Sequence, residues 1–127
     1  MRIDNRTFEV QLPAAFSWEE QAFIFCQFHG IEAEGAHITS DFIDSRFERC
    51  DLYLSLFNTA TLVGVKLKNC DFRGCSFLGC RFVECTFENC RFVADNLGGE
   101  CVFDDSRWYG CKQFGSHGLS VDHAAEC

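Results

Sequence analysis

The chain has 127 residues, a formal net charge of −8 at pH 7, fifteen phenylalanines and ten cysteines, and is 47% hydrophobic. That is the size of one domain with apolar residues enough for a core, and its acidic balance argues against direct nucleic-acid binding, which needs Lys and Arg to neutralise phosphates. With no run of about 18 apolar residues and no basic-then-apolar leader, neither a membrane span nor a signal peptide is expected.

In chain order, Thr7–Leu12 alternates Phe8, Val10 and Leu12 and reads as a short strand. Ser17-Trp18-Glu19-Glu20 has the form of a helix-capping box, so residues 1–22 are expected to cap the fold with a short strand and a helical turn. From there an apolar residue recurs every fifth position. Phe23, Phe28, Ala33 and Ile38 begin the series, and one residue is missing before Phe42. It then runs through Phe42, Phe47, Leu52, Phe57, Leu62, Leu67, Phe72, Phe77, Phe82, Phe87, Phe92 and Leu97. After one extra residue it resumes at Phe103 and Trp108, and it continues loosely through Phe114 and Leu119. The β-helix is assigned to 23–110 and an irregular cap or tail to 111–127.

A period of five is neither the 3.6 of a helix nor the 2.0 of a flat strand. Two residues before most centres sits a small residue, including Ser40, Ser45, Cys50, Ser55, Ala60, Cys70, Cys75, Cys80, Cys85 and Cys90. Each unit thus turns one bulky and one small side chain inward. A chain that turns a corner every five residues can do this. Four such segments close a square coil, and successive coils stack at the strand spacing of roughly 4.8 Å. About five coils of all-β structure follow, with the large residues along the axis. Asp95 breaks the small column and is expected at a bulge, where its carboxylate meets free backbone amides.

The run Cys70-Asp71-Phe72-Arg73-Gly74 through Cys90-Arg91-Phe92-Val93-Ala94 resembles the pentapeptide-repeat family. The resemblance covers residues 40–110 and implies a right-handed quadrilateral β-helix. The family usually prefers alanine at the small position. Cysteine serves equally as a small buried hydrophobe, and its regular placement reads as reduced, packed thiols of a cytoplasmic protein rather than a disulfide framework.

Residues twenty apart share a wall. On the wall centred on Phe42, Leu62 and Phe82, the outward position after each centre carries Ile43, Val63 and Val83. Asp41, Asp44, Glu84, Asp104 and Asp105 are expected to border this stripe, which is the candidate partner surface. Tyr53, Leu54 and Leu56 form a second candidate. Glu48, Lys68 and Glu88 read as a self-neutralising ladder on the next wall. Cys111, His117, His123 and Cys127 hold metal-ligand chemistry, but their spacing matches no zinc finger. With no lysine-bearing Gly-rich phosphate loop, no HExxH and no nucleophile elbow, no catalytic residue, metal or cofactor is assigned. A filled interior behind flat walls leaves no pocket expected.

The expected function is a non-catalytic protein-interaction module. Its partner is another protein or a second copy of the chain, not nucleic acid, a membrane or a small-molecule substrate. Two alternatives stand beside it, the first implied by the resemblance and the second by the size of the chain. One is an acidic DNA mimic that binds a type II topoisomerase such as gyrase, as quinolone-resistance-like members do. The other is a bacterial immunity or regulatory partner protein. Members that act on topoisomerases often carry projecting loops, and a single inserted residue falls short of one.

Overall fold

One bulky and one small side chain can face the axis in every pentad only if the backbone turns between pentads. The computed structural model describes residues 1–126, and in it the chain is a succession of strands two or three residues long. The residue two after most centres turns the corner in a left-handed conformation: Arg49, Leu54 and Asn69 have φ of 53–54°, and Gly74 has 62°. Gly74 must also be bare, because an added Cβ would lie 2.8 Å from Asp95.

Four turns close a coil, so the strands stack into four parallel walls. The first wall stacks Arg2–Asp4, Ala22–Ile24, Asp41–Ile43, Thr61–Val63, Arg81–Val83 and Arg107–Tyr109. The second stacks Thr7–Phe8, Gln27–His29, Arg46–Glu48, Lys66–Lys68, Thr86–Glu88, Lys112–Phe114 and Ala125–Glu126. The third holds Glu32–Glu34, Asp51–Tyr53, Asp71–Arg73 and Arg91–Val93; the fourth holds His37–Ile38, Leu56–Asn58 and Ser76–Leu78. The fold is therefore the expected quadrilateral β-helix. Phe23 pairs with Phe42, which confirms the residue missing before Phe42, and Leu62 pairs with Phe82.

The axis is a column of stacked rings. Phe28 lies on Phe47 with centroids 4.5 Å apart, Phe57 on Phe77 at 4.8 Å, and Phe72 on Phe92 at 4.7 Å. The small inward residues do more than fill space. Cys75 Sγ donates to Leu52 O, Cys80 to Phe57 O, Cys85 to Leu62 O and Cys90 to Leu67 O, each a strand-centre carbonyl one coil below. Ser45 Oγ reaches Phe23 O in the same way. Cysteine and serine thus add a donor that alanine lacks.

Four expectations need correction. Coiling begins at Arg2, not at residue 23, because Arg2–Asp4 and Thr7–Phe8 already pair in register with Ala22–Ile24 and Gln27–His29. The helical turn at Ser17 is absent: Ser17 Oγ accepts the Glu19 N–H at 3.1 Å in a short side-chain turn. The cap is made by Leu12, Phe16 and Trp18, which pack on the core, with Trp18 standing 5.6 Å from Phe28.

Leu97 is not on the axis; it is 96% exposed. Its place is taken by Phe103, which stacks on Phe77 at 5.2 Å. Phe82 accordingly pairs with Trp108, 26 residues on instead of the 20 between Leu62 and Phe82. The insertion is six residues, not one, and it forms a loop at the corner of the third and fourth walls. Asp95 holds it as expected, its Oδ1 accepting the N–H groups of Leu97 and Gly99.

The described part of the C-terminal segment, residues 111–126, continues the ladder instead of leaving it. Five after Trp108 comes Gln113, which is buried beside Phe87, while Phe114 turns outward. Gln113 Nε2 donates to Leu119 O at 3.0 Å and to Ala124 O at 2.8 Å, tying the closing turn over the end of the axis.

Phe77→Ala should destabilise the fold by about 3–5 kcal/mol, because its ring is packed between those of Phe57 and Phe103. Leu97→Ala should change stability by less than about 0.5 kcal/mol. Urea-unfolding midpoints of the two variants check this, and equal effects would contradict the register.

Candidate interaction surface

Because stacked strands are in register, each outward position repeats up its wall as a column. The last residues of the first-wall strands are Asp4, Ile24, Ile43, Val63, Val83 and Tyr109. Ile24 pairs with Ile43, Ile43 with Val63, Val63 with Val83, and Val83 with Tyr109. The structure thus brings Ile43, Val63 and Val83 together as expected and adds Ile24 below and Tyr109 above. The four aliphatic residues are half-buried by their neighbours, and Tyr109 is exposed. The sequence held the signal for both additions. Ile24 follows centre Phe23 and Tyr109 follows centre Trp108, so stepping the column one coil further each way finds them.

The border differs from the expected acidic rim. Asp41 lies on this wall, in a column that reads Ala22, Asp41, Thr61, Arg81, Arg107. Asp44 and Glu84 occupy the corner to the second wall, both with left-handed backbone. Asp104 and Asp105 lie at the opposite edge of this wall, on the side away from the apolar column. The six-residue shift sets Asp104 beside Gly79, whose N–H bonds to Asp104 O at 3.2 Å at the edge of the fourth wall, and Asp105 turns the next corner.

The second candidate divides. Tyr53 is committed: Arg73 lies 4.8 Å over its ring, and its hydroxyl accepts the Asn96 N–H at 3.1 Å, anchoring the inserted loop. Arg73 also pairs with Asp51 at 2.8 Å. Leu54 and Leu56 are exposed around the corner, where Leu78 and Val102 extend the patch along the fourth wall. The loop also creates a feature that flat walls would lack, a shallow cleft of about 370 Å³ lined by Glu32, Glu34, Asp51, Tyr53, Arg73 and Asn96.

The Cys/His set of the C-terminal segment is not assembled among the described residues, where no group of three or more metal-ligating side chains occurs. Cys111 is buried and bonds to Phe82 O, while His123 stacks 4.8 Å from Trp108 over the end of the axis. Cys127 lies outside the described residues.

The nine described cysteines are unpaired. Burial raises the Cys75 thiol from the ordinary 9.0 to about 12, and the Cys80 thiol to about 11. These groups stay protonated and inert, as packing residues do.

Family models described as pentapeptide repeats match residues 23–74 (8 copies) and 62–95 (9 copies). No curated protein matches the chain. Among solved structures it is similar to full-length QnrB1, described as a plasmid-mediated fluoroquinolone resistance protein, at 12% identity. That alignment covers 100% of this chain and 93% of QnrB1, with a TM-score of 0.30. A trypsin-treated variant of QnrB1 aligns at 14% identity over 100% of this chain and 90% of that one, also with a TM-score of 0.30.

A thiol whose folded pKa is raised binds its proton more tightly in the native state, so its contribution to stability is full below the unfolded value and is lost as pH rises through the folded one. Stability should therefore fall between about pH 9 and the raised values of about 11 for Cys80 and about 12 for Cys75. Thermal melts across that range should show the slope, and Cys80→Ala should flatten it. A flat profile would mean these thiols are not buried.

Proposed function

The chain belongs to the pentapeptide-repeat family, and from that premise we propose that it is a non-catalytic protein-interaction module whose binding face is the first wall. One comparison within the molecule carries the reading. The four walls have the same backbone geometry, so strand propensity would favour β-branched residues equally on all of them. The column that reads Ile24, Ile43, Val63, Val83, Tyr109 on the first wall reads His29, Glu48, Lys68, Glu88, Phe114 on the second. On the third it reads Glu34, Tyr53, Arg73, Val93. On the fourth it includes Asn58 and Leu78, so the first wall alone carries an unbroken run of five apolar residues, as a contact face requires. A reducing, cytoplasmic setting suits nine unpaired thiols.

One observation favours the DNA-mimic reading: the six-residue loop is long enough to project, with Leu97 at 96% exposure. The field opposes it. A mimic needs continuous negative potential, yet on the second wall and its corners Arg46, Arg49, Lys66, Lys68 and Lys112 are interspersed with Glu9, Asp44, Glu48, Glu84, Glu88 and Glu126, so the charge there is of both signs. The interaction-module reading accounts for more of the surface.

Val63→Lys should leave the circular-dichroism spectrum unchanged, because the side chain points outward. It should remove the association that the wild-type chain shows, because a charge is desolvated in mid-interface. Lys66→Glu, on the second wall, should keep that association. Full binding by Val63→Lys would reduce the column to a chance of composition. Added to a DNA gyrase supercoiling assay, the wild-type chain should leave the rate unchanged, whereas inhibition would restore the mimic.

A further inference from the structure

We propose that the first wall is the contact face between two copies of this chain, packed face to face with antiparallel axes about a two-fold that runs along the strand Thr61–Val63. This rests on the reading of that wall as a binding face and names its occupant. A two-fold along the middle strand keeps each column on its own side and reverses its order. Val63 then meets Val63 of the second copy, Ile43 meets Val83, and Ile24 meets Tyr109, so the apolar column lies on itself over its whole length.

The neighbouring column decides the symmetry. It reads Ala22, Asp41, Thr61, Arg81, Arg107, with an acid one coil below the centre and a cation one coil above it. Reversal places Asp41 of each copy against Arg81 of the other, twice per dimer. Neither residue has an ion-pair partner within the chain among the described residues, so both are available. A two-fold along the solenoid axis would instead lay the charged column over the apolar one, which costs desolvation without a partner.

The corner supports the same arrangement. Phe25 is 56% exposed and holds a left-handed backbone (φ 53°), a conformation that bulky residues avoid. Reversal sets it against Gly110, the one corner residue at the matching height with no side chain to displace. Asp44 opposite Glu84 at this corner, and Glu20 opposite Asp105 at the corner to the fourth wall, are the adverse contacts, and all four residues are solvent-exposed. The strip is narrow, well under the roughly 800 Å² per partner of a standard interface, so the dimer is weak and reversible.

Sedimentation equilibrium of the full chain, from about 10 µM to about 1 mM, should show a mass rising toward the dimer. Asp41→Arg and Arg81→Asp should each weaken association at least tenfold, because like charges then meet, and the double variant should restore it. Val63→Lys should abolish it, with thermal melts confirming that all four variants fold. A mass that stays monomeric throughout overturns the proposal, as does a dimer indifferent to Val63→Lys. Weakening by both single charge variants without rescue in the double overturns the antiparallel arrangement. A monomeric wild type that binds another protein, with that binding lost in Val63→Lys, would sink the second copy and leave the first wall as a binding face.

Discussion

Everything in this fold depends on how two inward side chains of unequal size share one pentad. The large one must reach the axis and the small one must let the wall come close, so the chain has only three residues of strand before it must turn. The ring stacks that result, such as Phe28 on Phe47 at 4.5 Å, are favourable by about 0.5–1.5 kcal/mol each beyond area burial. The turn itself opposes folding wherever the corner residue is not glycine, as at Arg49 and Leu54. Thiols and hydroxyls at the small position offset part of this cost by donating to carbonyls of the coil below. The buried Ser55 Oγ has no partner, and Ser106 Oγ turns to Phe103 O of its own coil instead.

With the interior filled by rings, specificity falls to the outside. Outward side chains are arranged by register, so any property given to one pentad position is repeated every coil at the strand spacing. Four independent surfaces result, and three of them differ plainly: an apolar column on the first wall, charge of both signs on the second, and an Asp51–Arg73–Tyr53 cluster on the third that holds the loop.

The phenylalanine column from Phe42 to Phe92 was legible in the sequence because an uninterrupted ladder forces a strict count, and so were the buried thiols and the stripe Ile43–Val63–Val83. The failures lie where the count is interrupted. Leu97 falls five after Phe92 and looks like the next centre, but a loop can begin anywhere a corner can be left, and counting cannot separate one extra residue from six. Asp95 was the available signal, since a carboxylate cannot take a packed thiol's place without leaving the core. The series passes to Phe114 in the sequence, but to Gln113 in the structure, for the opposite reason. Gln113 stands in strict register five after Trp108, but a polar amide at the axis makes sense only once Leu119 O and Ala124 O are seen to come down on it. The left-handed corners were also readable, as glycine or asparagine at Gly30, Gly35, Gly64, Asn69, Gly74, Gly79 and Asn89.

The exceptions among those corners separate the demands of the fold from those of the surface. Local backbone preference asks for glycine or asparagine at every turn, and Phe25, Leu54 and Thr59 defy it with φ of 53–55°. Large or β-branched side chains there cost stability and gain no core burial, since Phe25 and Leu54 are exposed. Both apolar corners adjoin apolar outward surface: Phe25 follows Ile24 at the foot of the first-wall column, and Leu54 lies beside Leu56 at the third–fourth corner. A residue that works against its own backbone without helping the core is accounted for by what it touches outside. At the first wall the strained Phe25 corner and the apolar column, which are separate observations, point to the same face.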